Sequence, residues 1–161
     1  MIGGVERAIV GFHADDMGDW VAELSCLHNQ HVRHRPPFLE RSWVVSEVER
    51  TAHLGSVIDC PLCDRAELPD DLAIARTAGP FDQASIPPAL LKDHVVAERT
   101  WGDLRVLEGR MTFKMATDPP FERQLVGGDH QPIPPGIKHH LVLEGAVSFA
   151  IDFRIRGDPG P

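Results

Sequence analysis

Two short ligand-bearing pairs constrain the fold of this chain more than any other feature: Cys26-x-His28 and Cys60-x-x-Cys63. Between them they use all 3 cysteines of the chain. Zinc takes four tetrahedral ligands, and thiolates with imidazole are a common set. Each pair offers two ligands from one tight loop, so binding closes a single large ring. The surrounding segment is about sixty residues long, which buries too little surface to be comfortably stable unaided. A structural zinc contributes roughly 10–16 kcal/mol of apparent binding energy coupled to folding. A zinc site on Cys26, His28, Cys60 and Cys63 is therefore expected. His31 lies in the same loop and is the alternative to His28. A standard Rieske iron–sulfur set is absent, because the second pair ends in Cys63 where such a centre has histidine. A cluster held by three cysteines and one histidine stays open.

Around these pairs the pattern is mixed. RAIVGFHA and DWVAELSC predict two strands joined by the turn Asp15–Asp19, with Trp20, Ala22, Leu24 and Cys26 sharing one face. Ser46-x-x-Glu49 resembles a capping box that opens a short helix, which Gly55 can close. Arg33, His34, Arg35 and Arg41 form a basic stretch in which Glu40 is the single acidic residue between Cys26 and Trp43. Arginine forks bind carboxylate or phosphate well, so Arg33, His34 and Arg35 are candidates for a small oxyanion. The plain alternative is a surface loop paired with nearby carboxylates. A third reading makes the basic loop 28–41 a docking surface for an acidic protein.

The whole chain opposes broader anionic partners. It has 16 Lys and Arg against 24 Asp and Glu, a formal net charge of -8. Such a field repels phosphates, so neither nucleic acid nor an anionic membrane surface is expected as a partner. The N-terminus lacks the features of a secretory signal, and no stretch approaches the ~20 apolar residues of a membrane span. With an odd number of cysteines, this favours reduced thiols and a cytoplasmic protein.

Residues 67–84 are rich in Pro, Asp, Ala and Gly and look like a linker. Beyond them, Leu104 and Val106 alternate, as do Met111, Phe113 and Met115, with Glu108-Gly109 expected as a hairpin turn. Val147, Phe149, Ile151 and Phe153 mark a last strand. Gly and Pro number 14 each, which suits turns and short strands. Paired strands of this kind usually close into a small barrel or sandwich.

Two resemblances follow from these residues. The run GFHADDMGDWVAELSCLHNQHVRHRPPFLERSWV, continuing to LGSVIDCPLCD, resembles a small bacterial domain family of unknown function over residues 11–64. Leu27 stands where that pattern usually has Gly, and Ser42 where it usually has Pro. The resemblance implies a metal-binding module and names no reaction. Gly128 to His139, with Pro-x-Gly followed by x-x-His, matches the second cupin motif. The first cupin motif is mostly missing: His94 is present, but Val96 takes the second histidine's place. IPPALLKDH, WGDLRVLEG and PPGIKHH through VSFAIDF resemble the cupin-like domain of tellurite-resistance protein B-like families. That resemblance implies pocket positions at His94, Trp101 and His139. His94 and His139 form a weaker second metal site on this reading, and pairing of barrels into a homodimer is an analogy from cupins.

The expected architecture is mainly β: a small α+β zinc-binding domain at 8–66, a linker at 67–84, and a cupin-like antiparallel β-barrel at 85–156. The expected function is a two-module binding protein with a structural zinc and a barrel for a small molecule or oxyanion, in a tellurite or stress response. The alternatives are a metal-dependent cupin enzyme using His94 and His139, and the interaction module above.

Overall fold

The computed structural model describes residues 4–32 and 42–157. Its N-terminal part is a four-stranded antiparallel sheet. Strand β1 (Glu6–Ala14) and β2 (Trp20–Leu24) form the expected hairpin, with Ala14 opposite Trp20. The Asp15 carboxylate accepts from the backbone N–H groups of Met17 and Asp19, which tightens the acidic turn. Strand β3 (Asn29–His31) lies on β2, and β4 (Val57–Asp59) on the other edge of β1. Helix α1 (Glu47–Ala52) starts at the predicted cap: the Ser46 hydroxyl accepts from the Glu49 N–H at 3.4 Å. Gly55, at φ 88°, turns the chain back into β4. Helix α2 (Pro61–Asp64) is a single turn that opens on Pro61.

The stretch expected as a linker is largely strand. β5 (Leu72–Asp82) runs antiparallel to β9 (His139–Arg156). It is an edge strand exposed along most of its length, so it carries no apolar alternation to read. Pro80 and two register shifts interrupt its pairing, features that discourage a further strand from adding to an edge.

The expected hairpin at Glu108-Gly109 is also absent. Residues Trp101–Met115 form one continuous strand, β6. Leu104 and Val106 are even-numbered and Met111, Phe113 and Met115 odd-numbered, yet all five are buried in one core. A change of parity along one face needs either a turn or a bulge. Here the register with β9 slips between Val106 and Glu108 and again between Gly109 and Met111. Gly109 sits at φ 83°, and a Cβ there would run into the Ala146 carbonyl and lie 2.9 Å from Val147 Cα.

β6 is the middle of the second sheet. β9 pairs along one side; β8 (His130–Ile133) and β7 (Phe121–Val126) share the other. The strand order is β5-β9-β6-β7, with β8 on β6 and no β5–β7 pairing among the described residues. The sheet is therefore open, where a closed barrel was expected. Leu104, Phe113, Leu125, Leu141, Phe149 and Ile151 form its buried core.

A second core lies under the N-terminal sheet, from Ile9, Ala22, Leu24, Val32 and Val44 to the three cysteines. One member comes from the other sheet: Trp101, the first residue of β6, has 0 % exposure. No helix among the described residues is long and apolar enough to cross a membrane.

Candidate metal centre

The turns that deliver the ligands are fixed by backbone bonds. After β2, Leu27 N–H donates to Leu24 O and Leu24 N–H to His28 O, a tight reversal with Leu27 at φ 75°. Cys26 and His28 thereby face inward from one loop. Cys60 follows β4, held by its N–H on Val5 O, and Cys63 is one turn on, in α2.

The four ligand atoms lie within 4.8 Å of one another, and all four residues are buried. His28 Nδ1 is 3.3 Å from Cys26 Sγ, 3.3 Å from Cys60 Sγ and 3.6 Å from Cys63 Sγ, and Cys26 Sγ is 3.8 Å from Cys60 Sγ. Bonds of about 2.0–2.3 Å to a tetrahedral ion put ligand atoms roughly 3.3–3.8 Å apart. The residues present fit such an ion, zinc included. His28 Nε2 donates to Glu67 O at 2.6 Å. That fixes the tautomer and leaves Nδ1 as the ligating atom.

Protonation follows from this crowding. Burial disfavours the His28 imidazolium, but the Cys26 and Cys60 sulfurs outweigh it and raise its pKa to about 9. Hydrogen bonds with Cys26 and Cys63 push the Cys60 thiol down, whereas those with Cys26 and Cys60, together with burial, push Cys63 up. The cluster thus shares protons that an incoming cation displaces.

Two supports escaped the sequence reading. Arg7, buried on the inward face of β1 beside Ile9, donates from Nε to Cys63 Sγ at 3.3 Å and from Nη2 to Pro135 O at 2.6 Å. A charged residue in the inward phase of a strand was the available signal. The Glu67 carbonyl, being backbone, gave none.

Trp101 was expected in the barrel pocket. It belongs instead to the metal centre: its indole N–H donates to Cys26 O at 2.6 Å, and its ring meets the His28 ring edge-on at 5.1 Å. The bulky start of β6 fills the gap behind the ligand loop. His31 is not in the cluster; β3 carries it to the acidic turn, where Nε2 meets Asp15 Oδ2 at 2.8 Å. Arg33, His34 and Arg35 lie outside the described residues.

His94 and His139 are brought together, with ring centroids 4.2 Å apart, on the wall of a cavity of about 410 Å³. Among the described residues, Cys26, His28, Cys60 and Cys63 are the one group of three or more ligands placed for a metal, so the two histidines lack a third. A larger cavity of about 480 Å³, polar and lined by His13, Glu23, His28, Glu67 and Arg156, opens beside the metal centre.

Fold and site together define a β-rich protein in which a buried Cys/His cluster is joined to an open sheet bearing a small cavity. Its parts match two families: residues 10–67 match DUF3565, a protein family of unknown function, and residues 76–151 match the TehB-like domain. None of the curated proteins matches. Among solved structures, a protein from E. coli (strain K12) is similar at 16% identity and TM-score 0.53, over 58% of this chain and 91% of that one. TehB from Haemophilus influenzae is similar at 20% identity and TM-score 0.49, over 54% of this chain and 32% of that one.

Proposed function

We propose that this is a two-module binding protein in which Cys26, His28, Cys60 and Cys63 hold a structural zinc and the cavity at His94 and His139 takes a small molecule. One observation carries the reading: four buried ligand atoms lie within 4.8 Å of one another, His28 Nδ1 at 3.3–3.6 Å from all three sulfurs, with the far nitrogen of that imidazole already tied to Glu67 O. Four protein ligands fill a tetrahedral shell, which suits a structural ion better than a catalytic one. Zinc bound there would neutralise thiolates and pin the ends of β2 and β4 together. The second sheet is an open, cupin-like sheet on this reading.

The finer part of the proposal is a tellurite or stress response, with an oxyanion held by Arg33, His34 and Arg35. It is supported by the TehB-like match and by the basic charge of that stretch. Growth of a deletion strain on tellurite, rescued by the wild type but not by Arg33→Ala with Arg35→Ala, is the expected result; equal rescue rules out the basic stretch.

Elemental analysis tests the centre. The purified protein should carry one zinc per chain, Cys60→Ser should lose it, and His139→Ala should keep it. Absence of metal from protein prepared without chelator removes the reading.

A further inference from the structure

The cavity beside His94 and His139 carries two imidazole acceptors on its wall. Each Nδ1 lies against a backbone carbonyl: His94 on Lys92 O at 2.9 Å and His139 on Ile137 O at 3.0 Å. A carbonyl can only accept, so both Nδ1 atoms carry the proton, and in the neutral ring Nε2 is a bare lone pair. No donor among the described residues reaches either Nε2. The rings are also held in place. His94 N–H donates to His139 O, and His139 N–H to His94 O, each at 3.0 Å, which makes a two-residue bridge beneath the ring pair.

Most of the rest of the wall is apolar, with Thr100 and Arg76 as its other polar side chains. Leu90, Val96, Ile133, Ile151 and Phe153 line it, and their burial leaves little there to satisfy a charge. Arg76 is the one cation of the lining; it is exposed, and its guanidinium rests 4.0 Å over the Phe153 ring. His139 stays uncharged near neutrality, because burial and the neighbouring His94 hold its pKa down to about 4 against the Ile137 carbonyl.

Resting on the reading of this cavity as the small-molecule site, we propose that its ligand is a neutral, largely apolar alcohol or phenol whose O–H donates to a bare Nε2 of the histidine pair. The chemistry decides against the other occupants. An oxyanion brings only acceptors to two acceptors, and stripping its water against apolar walls is costly. A divalent ion would find two nitrogens and no third protein ligand among the described residues. A single O–H meets one of these lone pairs, while the body of the molecule replaces water along Ile133 and Ile151. The cavity, about 410 Å³, falls in the lower part of the range of roughly 300–1,000 Å³ for small-molecule sites.

The test uses the full-length, zinc-loaded protein and three probes of similar size: phenol, anisole and benzoate. Proton–nitrogen NMR reads the imidazole Nε2 resonances of His94 and His139 together with the amides of Ile133, Ile151 and Phe153. Phenol should shift all of them saturably. Anisole, which lacks the donor, should bind at least tenfold more weakly, about 1.4 kcal/mol, and benzoate should leave them unmoved. In His94→Leu, which alters the half-exposed partner, the phenol-to-anisole ratio should fall several-fold; His139→Phe is the second variant if that protein does not fold. Anisole or benzoate binding as tightly as phenol would overturn the donor class while keeping the cavity as a ligand site. Silence of all five residues with every probe would overturn both readings. Shifts of both Nε2 resonances on adding excess zinc alone would replace the alcohol with a metal.

Discussion

Arg7 joins two sites that the sequence separates widely. Its guanidinium donates to Cys63 Sγ and to Pro135 O, and it is almost fully buried. Three thiolates and a neutral imidazole around a divalent ion carry a net negative charge, which a buried guanidinium offsets. Arg7→Met should therefore weaken zinc binding by about 10–100-fold, measured by competition with a chromogenic chelator; unchanged competition would leave Arg7 a packing residue only. His139 gives a second prediction at this scale. Its pKa of about 4 lies below the ordinary value of 6.5. Between those pH values the unfolded chain binds a proton that the native chain refuses, so stability falls as pH drops from 6.5 towards 4. The loss attributable to this residue is about 3 kcal/mol at most. Urea unfolding at pH 7 and 4.5 should show a smaller pH effect in His139→Gln than in the wild type. The four metal ligands were legible because each pair is local in sequence. Arg7 and Trp101 were not, because their partners lie 56 and 75 residues away and no spacing announces them.

At the scale of elements, β6 shows how an apolar pattern can be read correctly and folded wrongly. The buried residues 104, 106, 111, 113 and 115 were all legible, but a parity change at Glu108-Gly109 is equally compatible with a turn and with a bulge. Only the partner strand decides, and β9 is 18 residues long, enough to pair along all of β6. Gly109→Ala tests the bulge. The added methyl would strike the Ala146 carbonyl at a φ that side chains rarely adopt. A loss of about 3 kcal/mol or more is expected in denaturant unfolding, against about 1–2 kcal/mol for Gly128→Ala, which shares the positive φ but has nothing within 4 Å. Near-equal losses would mean the bulge tolerates a side chain. β5 was missed for a different reason. An exposed edge strand has no inside and outside to alternate, so its Gly79-Pro80 step and small residues read as linker. The turn and cap of the N-terminal unit were legible because each is local chemistry: Asp15 on two N–H groups, Ser46 on one.

For the molecule as a whole, the bonds across the seam predict that the two sheets unfold together. Besides Arg7 and Trp101, Arg156 at the end of β9 donates to Leu27 O at 2.7 Å in the ligand loop. Removing zinc with a strong chelator should lower the melting temperature, and the transition should stay single whether read by tryptophan fluorescence or by far-ultraviolet circular dichroism. Two separate transitions in the zinc-loaded protein would show that the units fold independently. Trp101→Phe keeps most of the packing and removes one buried donor from Cys26 O; a cost of about 1–3 kcal/mol is expected.

That indole has a bearing on ancestry. It enters the chain on the TehB-like side of the junction, yet it is roofed by residues of the DUF3565 side. A recombination that exchanged one half for a distant homologue would strand a buried N–H, and often a guanidinium, without acceptors. Exchanges are therefore expected to be tolerated when both halves change in step, which makes the seam a constraint on recombining them.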